Sequence, residues 1–201
     1  MKLYYAPGAC SLSPHITLRE AELPFELVKT DTKTKTIADG SDYWLINPKG
    51  YVPCLELDSG ERLTEGPAIV QYIADQVPAK KLAPENGSLQ RYHLQEWLNY
   101  VTAELHKGYG ALFTSTTPED YKPIARDRLT QRYELVDTTL AKQPYLLGST
   151  FSVADPYLFV VTNWARHAGV NLDRFKALQA FQGRMRERPA VLAALKAEGL
   201  S

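Results

Sequence analysis

The feature that most constrains this sequence is a change of grammar across residues 79–87, a stretch rich in Pro, Ala, Lys and Asn. Before it, short β-like runs alternate with helical ones. Lys2-Leu3-Tyr4-Tyr5-Ala6 reads as a strand broken by Pro7-Gly8-Ala9. A helix from about Ser11 to Glu22 follows, and Leu23-Pro24 stops it. Phe25-Glu26-Leu27-Val28 then alternates like a second strand. The polar run from Lys29 to Asp42 reads as a loop or one short helix. After the turn Asn47-Pro48-Lys49-Gly50, the runs Cys54–Leu57 and Glu61–Thr64 flank Asp58-Ser59-Gly60 as a hairpin. Pro67, suited to the first helical position, opens a helix over Ala68–Val77, with Gly66 as its cap. A βαβ unit needs a parallel crossover and the hairpin adds antiparallel strands, so the sheet is expected to be mixed.

Beyond residue 87 β signals largely vanish. One long helix is expected from about Ser88 to Gly108, with Leu94, Trp97, Leu98, Val101 and Leu105 as its apolar stripe. Others follow over about Pro123–Ala141 and Val153–His167, with shorter ones to the C-terminus. Gly108, Gly148 and Gly169 stand where helices are expected to end. The fold class is therefore α/β plus all-α: a thioredoxin-like domain over 1–78, a linker over 79–87 and a helical bundle domain over 88–201.

Composition narrows the function. Twenty-three Lys and Arg balance 23 Asp and Glu. That leaves no basic surplus for nucleic acid or an anionic membrane. No apolar run approaches the length of a membrane span. Two cysteines alone make neither a disulfide framework nor a zinc site, so no metal is expected. The chain opens Met1-Lys2-Leu3-Tyr4 straight into a strand, without the apolar core of a secretory signal, and a cytoplasmic protein is expected.

Cys10 stands just ahead of the first helix, where the helix dipole and open N–H groups favour a thiolate. The competing reading is a small buried apolar side chain. Ser13 occupies the second position of what would be a Cys-x-x-Cys pair, which argues against a self-contained dithiol oxidoreductase. Cys54 reads as a buried strand thiol. Val52-Pro53 is either an ordinary strand entry or a cis bond that frees the Val52 backbone for a peptide-like ligand. Gly66 would let a ligand carboxylate approach a helix N-terminus, with Glu65 beside it to accept an ammonium. Glu65 could equally serve its own helix dipole. Asn99, Thr102, Ala103 and His106 fall on one helix face, although a histidine near a helix end is commonly exposed. Ser152-Val153-Ala154-Asp155 reads as a capping box with a folding role. Arg126, Arg128 and Arg132 read as solvated surface.

Taken in order, these segments resemble the glutathione transferases, specifically the bacterial beta class. The anchors are Lys2-Leu3-Tyr4-Tyr5 with Pro7-Gly8-Ala9-Cys10-Ser11, then Asn47-Pro48-Lys49-Gly50 with Val52-Pro53. Thr64-Glu65-Gly66-Pro67-Ala68-Ile69, Glu96-Trp97-Leu98-Asn99-Tyr100, Glu104-Leu105-His106-Lys107 and Phe151-Ser152-Val153-Ala154-Asp155 complete the series. The resemblance covers essentially the whole chain and looks close to the transferases of bacterial aromatic-degradation pathways. It implies a homodimer that takes glutathione as co-substrate, with no further cofactor, and a hydrophobic electrophile lined by the helical domain. Cys10 would lie next to the glutathione sulfur, and Val52, ahead of a cis Pro53, would bond its cysteinyl backbone. Glu65 and Gly66 would hold the γ-glutamyl end and Lys35 the glycine carboxylate. Asn99, Ala103, Glu104 and His106 would border the same site, with Cys10 and His106 as the catalytic pair. Many relatives carry Ser in place of Gly66, so a backbone N–H would serve alone here. Tyr5 aligns near the catalytic tyrosine of other classes and is not assigned that role. Two rivals share the scaffold: a non-catalytic binding module, and a glutathione-dependent dehalogenase or isomerase.

Overall fold

A computed structural model describes residues 1–200. By contact they form two compact units: Met1–Ala83 with the chain from Glu187 onward, and Pro84–Arg186.

The first unit is built on a five-stranded mixed sheet in the order β3-β2-β1-β4-β5. The strands are β1 (Lys2–Tyr5), β2 (Glu26–Asp31), β3 (Thr36–Ile37), β4 (Cys54–Glu56) and β5 (Arg62–Thr64). β1 runs parallel to β2 with Leu3 opposite Leu27, and antiparallel to β4 with Tyr4 opposite Cys54. Both faces of β1 are covered, since Leu3, Tyr4 and Tyr5 are all buried. The crossover between β1 and β2 is α1 (Leu12–Glu20), which packs against α2 (Gly66–Gln76) and the C-terminal α9 (Pro189–Glu198). Those neighbours bury every residue of α1 from Leu12 to Leu18, including Ser13, His15 and Thr17.

The run from Lys29 to Asp42 is neither a loop throughout nor a helix. β2 continues to Asp31 and turns back as β3, pairing Thr30 with Ile37. The Asp31 carboxylate accepts the N–H groups of Lys33 and Thr34, which closes the turn. Lys and Thr conceal this pair because it lies at the sheet edge, where polar side chains guard against further pairing.

The second unit is helical. α3 (Leu89–Tyr100) starts at Ser88, whose hydroxyl accepts the Arg91 N–H at 3.1 Å. The expected single helix to Gly108 is then modified. Residues Val101–His106 widen into a π-helical turn, Lys107–Tyr109 tighten into a 3-10 turn, and α4 (Gly110–Phe113) follows. Gly108 does not end the helix; a Cβ there would stand 2.7 Å from Leu129 Cδ2, so the glycine permits a close crossing with α5 (Tyr121–Leu140). Gly148 likewise ends no helix and forms a turn in which it exchanges backbone hydrogen bonds with Tyr145. Gly169, at φ +68°, does cap α7 (Ala165–Ala168). α6 (Ala154–Asn163) is buried from Ala154 to Thr162, and α8 (Lys176–Arg186) packs on α5 and α6.

At the start of α6 the buried Asp155 carboxylate accepts the N–H groups of Leu146 and Ser152 and the Ser152 hydroxyl. It is the folding device its sequence suggested. The expected solvated arginine face is only partly so. Arg126 Nε donates to the Ala168 carbonyl at 3.0 Å, and Arg132 pairs with Glu104 at 2.6 Å. Among the described residues no helix is long and apolar enough to cross a membrane.

Candidate functional site

The sheet register brings the first unit's candidate residues to one end. Cys54 pairs with both Tyr4 and Thr64, so the chain leaving β1, entering β4 and leaving β5 meets at a single edge. Cys10, Val52 and Glu65 occupy those three connections. The Cys10 thiol donates to the Val52 carbonyl at 3.3 Å. The Val52–Pro53 peptide is cis, and among the described residues the Val52 N–H has no acceptor.

The loop that carries Cys10 is held from two sides. Ser11 is fully buried, and its hydroxyl bridges the N–H and C=O of Ala6 at 3.1 and 3.2 Å rather than capping α1. From the other side the Glu198 carboxylate of α9 accepts the Gly8 N–H at 2.9 Å. Its second oxygen meets His15 Nδ1 at 2.8 Å, and Arg19 Nε donates to His15 Nε2 at 2.9 Å. An arginine can only donate, so Nε2 carries no proton and Nδ1 supplies one to Glu198. At the start of α1 the N–H groups of Leu12 and Ser13 return to the carbonyls of Ala9 and Cys10. The fan of open donors expected around Cys10 is therefore reduced, since these two N–H groups are already bonded.

At the start of α2 the unusual backbone belongs to Glu65, not Gly66. Glu65 sits at φ +70° and is the residue preceding the first helical position, which Gly66 occupies. A non-glycine residue held there costs about 1–3 kcal/mol, and such strain concentrates at functional sites. Pro67 has no N–H and Ala68 N–H returns to Glu65 O, so the Gly66 N–H is the donor this helix end presents outward. The Glu65 carboxylate is exposed and pairs with Lys49 at 2.8 Å. Lys49 escaped the sequence reading because its only signal was membership of a turn.

Lys35 lies in the turn between β2 and β3 at the same sheet end, itself at φ +59°. Its ammonium donates to Gly50 O at 2.7 Å and stands over the rings of Tyr51 and Trp44 at 5.1 and 5.7 Å. Gly50 is obligatory: at φ +67°, its Cβ would fall 2.5 Å from Trp44. Cys54 is fully buried, and burial pushes its thiol up to about 11, which leaves it inert at neutral pH. Burial, then the Glu198 carboxylate, raises the Tyr5 phenol above its ordinary value.

In the second unit the expected common face divides. Asn99 and Ala103 are exposed, and Glu104 turns to Arg132. Thr102 and His106 instead converge on Tyr157 of α6, to which His106 Nδ1 is bonded at 2.6 Å. The indole of Trp164 meets the His106 ring edge-on, with centroids 4.8 Å apart. Tyr157 and Trp164 were missed because they lie some fifty residues along the chain, reachable only through the helix packing.

The arrangement offers a thiol beside an open backbone N–H, a carboxylate next to a helix-end donor, and a lysine over aromatic rings. Comparison with known proteins agrees in kind. The glutathione S-transferase N-terminal domain family matches residues 1–75 and the C-terminal domain family residues 96–189. The chain is 49% identical to glutathione S-transferase GstA of Escherichia coli O157:H7 over the full length of both. Among solved structures it is similar to BphK, a bacterial transferase in a ternary complex, at TM-score 0.98 and 57% identity, covering all of both chains. A sphingomonad glutathione S-transferase complexed with glutathione gives TM-score 0.96 at 47% identity, and the beta class transferase of Sphingomonas chungbukensis gives 0.97 at 46%; both are covered in full, as is this chain.

Proposed function

The chain belongs to the glutathione S-transferase family, in the bacterial beta class and as a transferase of glutathione, and from that premise we propose how its residues carry the reaction. Residues 1–78 bind glutathione and residues 88–201 line the electrophile pocket. The Val52 backbone pairs with the cysteinyl unit of glutathione, as one strand pairs with another. Glu65 takes the γ-glutamyl ammonium, the Gly66 N–H its carboxylate, and Lys35 the glycine carboxylate. Asn99, Ala103, Glu104 and His106 border the same site. The protein works in the cytoplasm as a homodimer, and its second substrate is a hydrophobic, aromatic or halogenated electrophile.

A free cysteine thiol has a pKa of about 8.5, so little glutathione is thiolate at neutral pH. The α1 dipole, Cys10 and His106 together favour the ionised form. The thiolate attacks an electrophilic carbon, a C–S bond forms and the leaving group departs with its electron pair. Against glutathione disulfide, the Cys10 thiolate instead attacks one sulfur, forming a mixed disulfide and releasing a glutathione thiolate.

One observation carries this reading: the Cys10 thiol lies 3.3 Å from the carbonyl of Val52, whose own N–H has no acceptor among the described residues. A bound cysteinyl backbone would thus lie beside a thiol. Calorimetric titration with glutathione tests it. Each charge-assisted hydrogen bond contributes about 1.5–3 kcal/mol, so Lys35→Ala and Glu65→Gln are each expected to weaken binding at least about tenfold. Unchanged affinity in both variants would refute the assignment.

A further inference from the structure

Within the first unit, α9 is tied to α1 near both of its ends. Just ahead of α9, Arg188 grips the Glu20 carboxylate at the end of α1 through two bonds of 2.7 and 2.9 Å. At the other end of α9 the Glu198 carboxylate spans His15 Nδ1 at 2.8 Å and the Gly8 N–H at 2.9 Å, so the two helices run antiparallel. The Glu198 and His15 side chains are fully buried, whereas Gly8 is half-buried.

The reaction scheme above makes no use of the bond to Gly8. The Ala9 N–H returns to Ala6 O at 3.1 Å, Pro7 takes the second position of this turn, and Gly8 takes the third at φ +70°. These are the marks of a type II turn, in which proline presets φ and a positive φ follows it. A type I turn closes with the same hydrogen bond but rotates the central peptide, here Pro7–Gly8, by roughly a half-turn. Glycine accommodates either form. Glu198 favours type II, because its carboxylate receives the Gly8 N–H there. In type I the Pro7 carbonyl would swing toward that carboxylate instead, oxygen against oxygen. The turn leads directly into the Cys10 segment: Ala9 O accepts the Leu12 N–H at 3.0 Å, and the Cys10 thiol reaches the Val52 carbonyl at 3.3 Å.

We propose that Glu198 is a positioning residue for Cys10: by accepting the Gly8 N–H it holds the Ala6–Ala9 turn in the type II form and so fixes where the thiol is presented. The redox consequence rests on the reading that Cys10 lies beside bound glutathione; the turn does not.

Glu198→Gln on the full chain is the direct test. Arg19 fixes His15 with its proton on Nδ1, so the buried imidazole claims the amide oxygen and the amide NH2 is turned against the Gly8 N–H. Mixed-disulfide formation with glutathione disulfide is expected to slow about tenfold, the scale of one charge-assisted hydrogen bond. Iodoacetamide is expected to alkylate Cys10 several-fold faster while Cys54 stays unlabelled, whereas general loosening of the protein would expose both thiols. Gly8→Ala is expected to give the same two changes. Among the described residues a Cβ there would meet Leu200 alone, at 3.6 Å, but alanine resists φ +70° and favours type I. Since both substitutions release the same turn, the double variant is expected to be no slower than the slower single one. Glu20→Ala, which unties the other end of α9, is expected to leave both Cys10 readouts at their wild-type values. Wild-type rates in Glu198→Gln would overturn the proposal, as would additive effects of Glu198→Gln and Gly8→Ala or an equal loss in Glu20→Ala. If the wild type forms no mixed disulfide, the placement of Cys10 beside glutathione fails and alkylation decides the proposal: faster labelling of Cys10 in both variants upholds it, and unchanged labelling overturns it.

Discussion

Cys10 and Cys54 carry the same group in opposite surroundings. Cys10 is partly exposed in a loop, whereas Cys54 is sealed in the sheet beneath Tyr4 and Tyr43. Brief treatment with iodoacetamide at neutral pH is expected to alkylate Cys10 alone, and bound glutathione is expected to protect it; peptide mass spectrometry reads both. The raised Cys54 pKa also has a sign in stability. Burial disfavours the thiolate in the folded state, so the unfolded chain ionises first, near 9.0. The contribution of Cys54 is therefore complete below that pH and is lost as pH rises toward about 11, which urea melts across the alkaline range would follow. Gly66 gives a gain rather than a loss. Nothing lies within 4 Å of a Cβ built there, so Gly66→Ser is expected to fold normally. Its hydroxyl would add one neutral hydrogen bond of about 1 kcal/mol, tightening glutathione binding roughly fivefold by calorimetry.

At the scale of elements, the crossing of the 3-10 turn over α5 is the sharpest constraint. In an exposed helix, Gly→Ala stabilises by about 1 kcal/mol through propensity. At Gly108 the added methyl would press on Leu129, which is fully buried. Gly108→Ala is therefore expected to destabilise the protein by about 1–3 kcal/mol in urea denaturation, and Leu129→Val in the same chain to recover part of the loss. This position also shows what a sequence conceals. Glycine after an apolar stripe carries the signature of a helix end, and only the approach of α5 reveals a packing role. The mixed sheet, α1, the hairpin and α2 were legible because each is punctuated by Pro or Gly around a local apolar pattern. β3 was not, because a strand of two residues is too short for an alternating pattern to show, even though Ile37 packs against the core. The π-helical turn was not either, and it sent Thr102 and His106 toward Tyr157 while leaving Asn99 and Ala103 exposed.

Across the whole chain, the C-terminal α9 reaches back to the loop bearing Cys10. Sequence showed only further short helices there, since neither Glu198 nor His15 carries a local pattern and they meet across 183 residues. Replacing Glu198 by Ala removes the acceptor of the His15 Nδ1–H, which is fully buried. That is expected to cost about 1–3 kcal/mol in thermal or urea unfolding, the penalty of one unsatisfied buried group. Legibility of the site followed the same division: Cys10, Val52, Pro53, Glu65 and Gly66 stand in short continuous motifs, whereas Lys49, Tyr157 and Trp164 acquire meaning only from neighbours distant in the chain.

The central claim is that glutathione is ionised and aimed at this site, with Cys10 assisting conjugation and carrying the redox step itself. The most direct measurement compares glutathione conjugation to a chloronitroaromatic in the wild type and in Cys10→Ala, alongside mixed-disulfide formation with glutathione disulfide by intact mass. The expected result is conjugation well above background in the wild type, weakened but retained in Cys10→Ala, with the mixed disulfide abolished. Complete loss of conjugation in Cys10→Ala at unchanged glutathione affinity would contradict that division of labour, and no conjugation by either protein would contradict the site assignment as a whole.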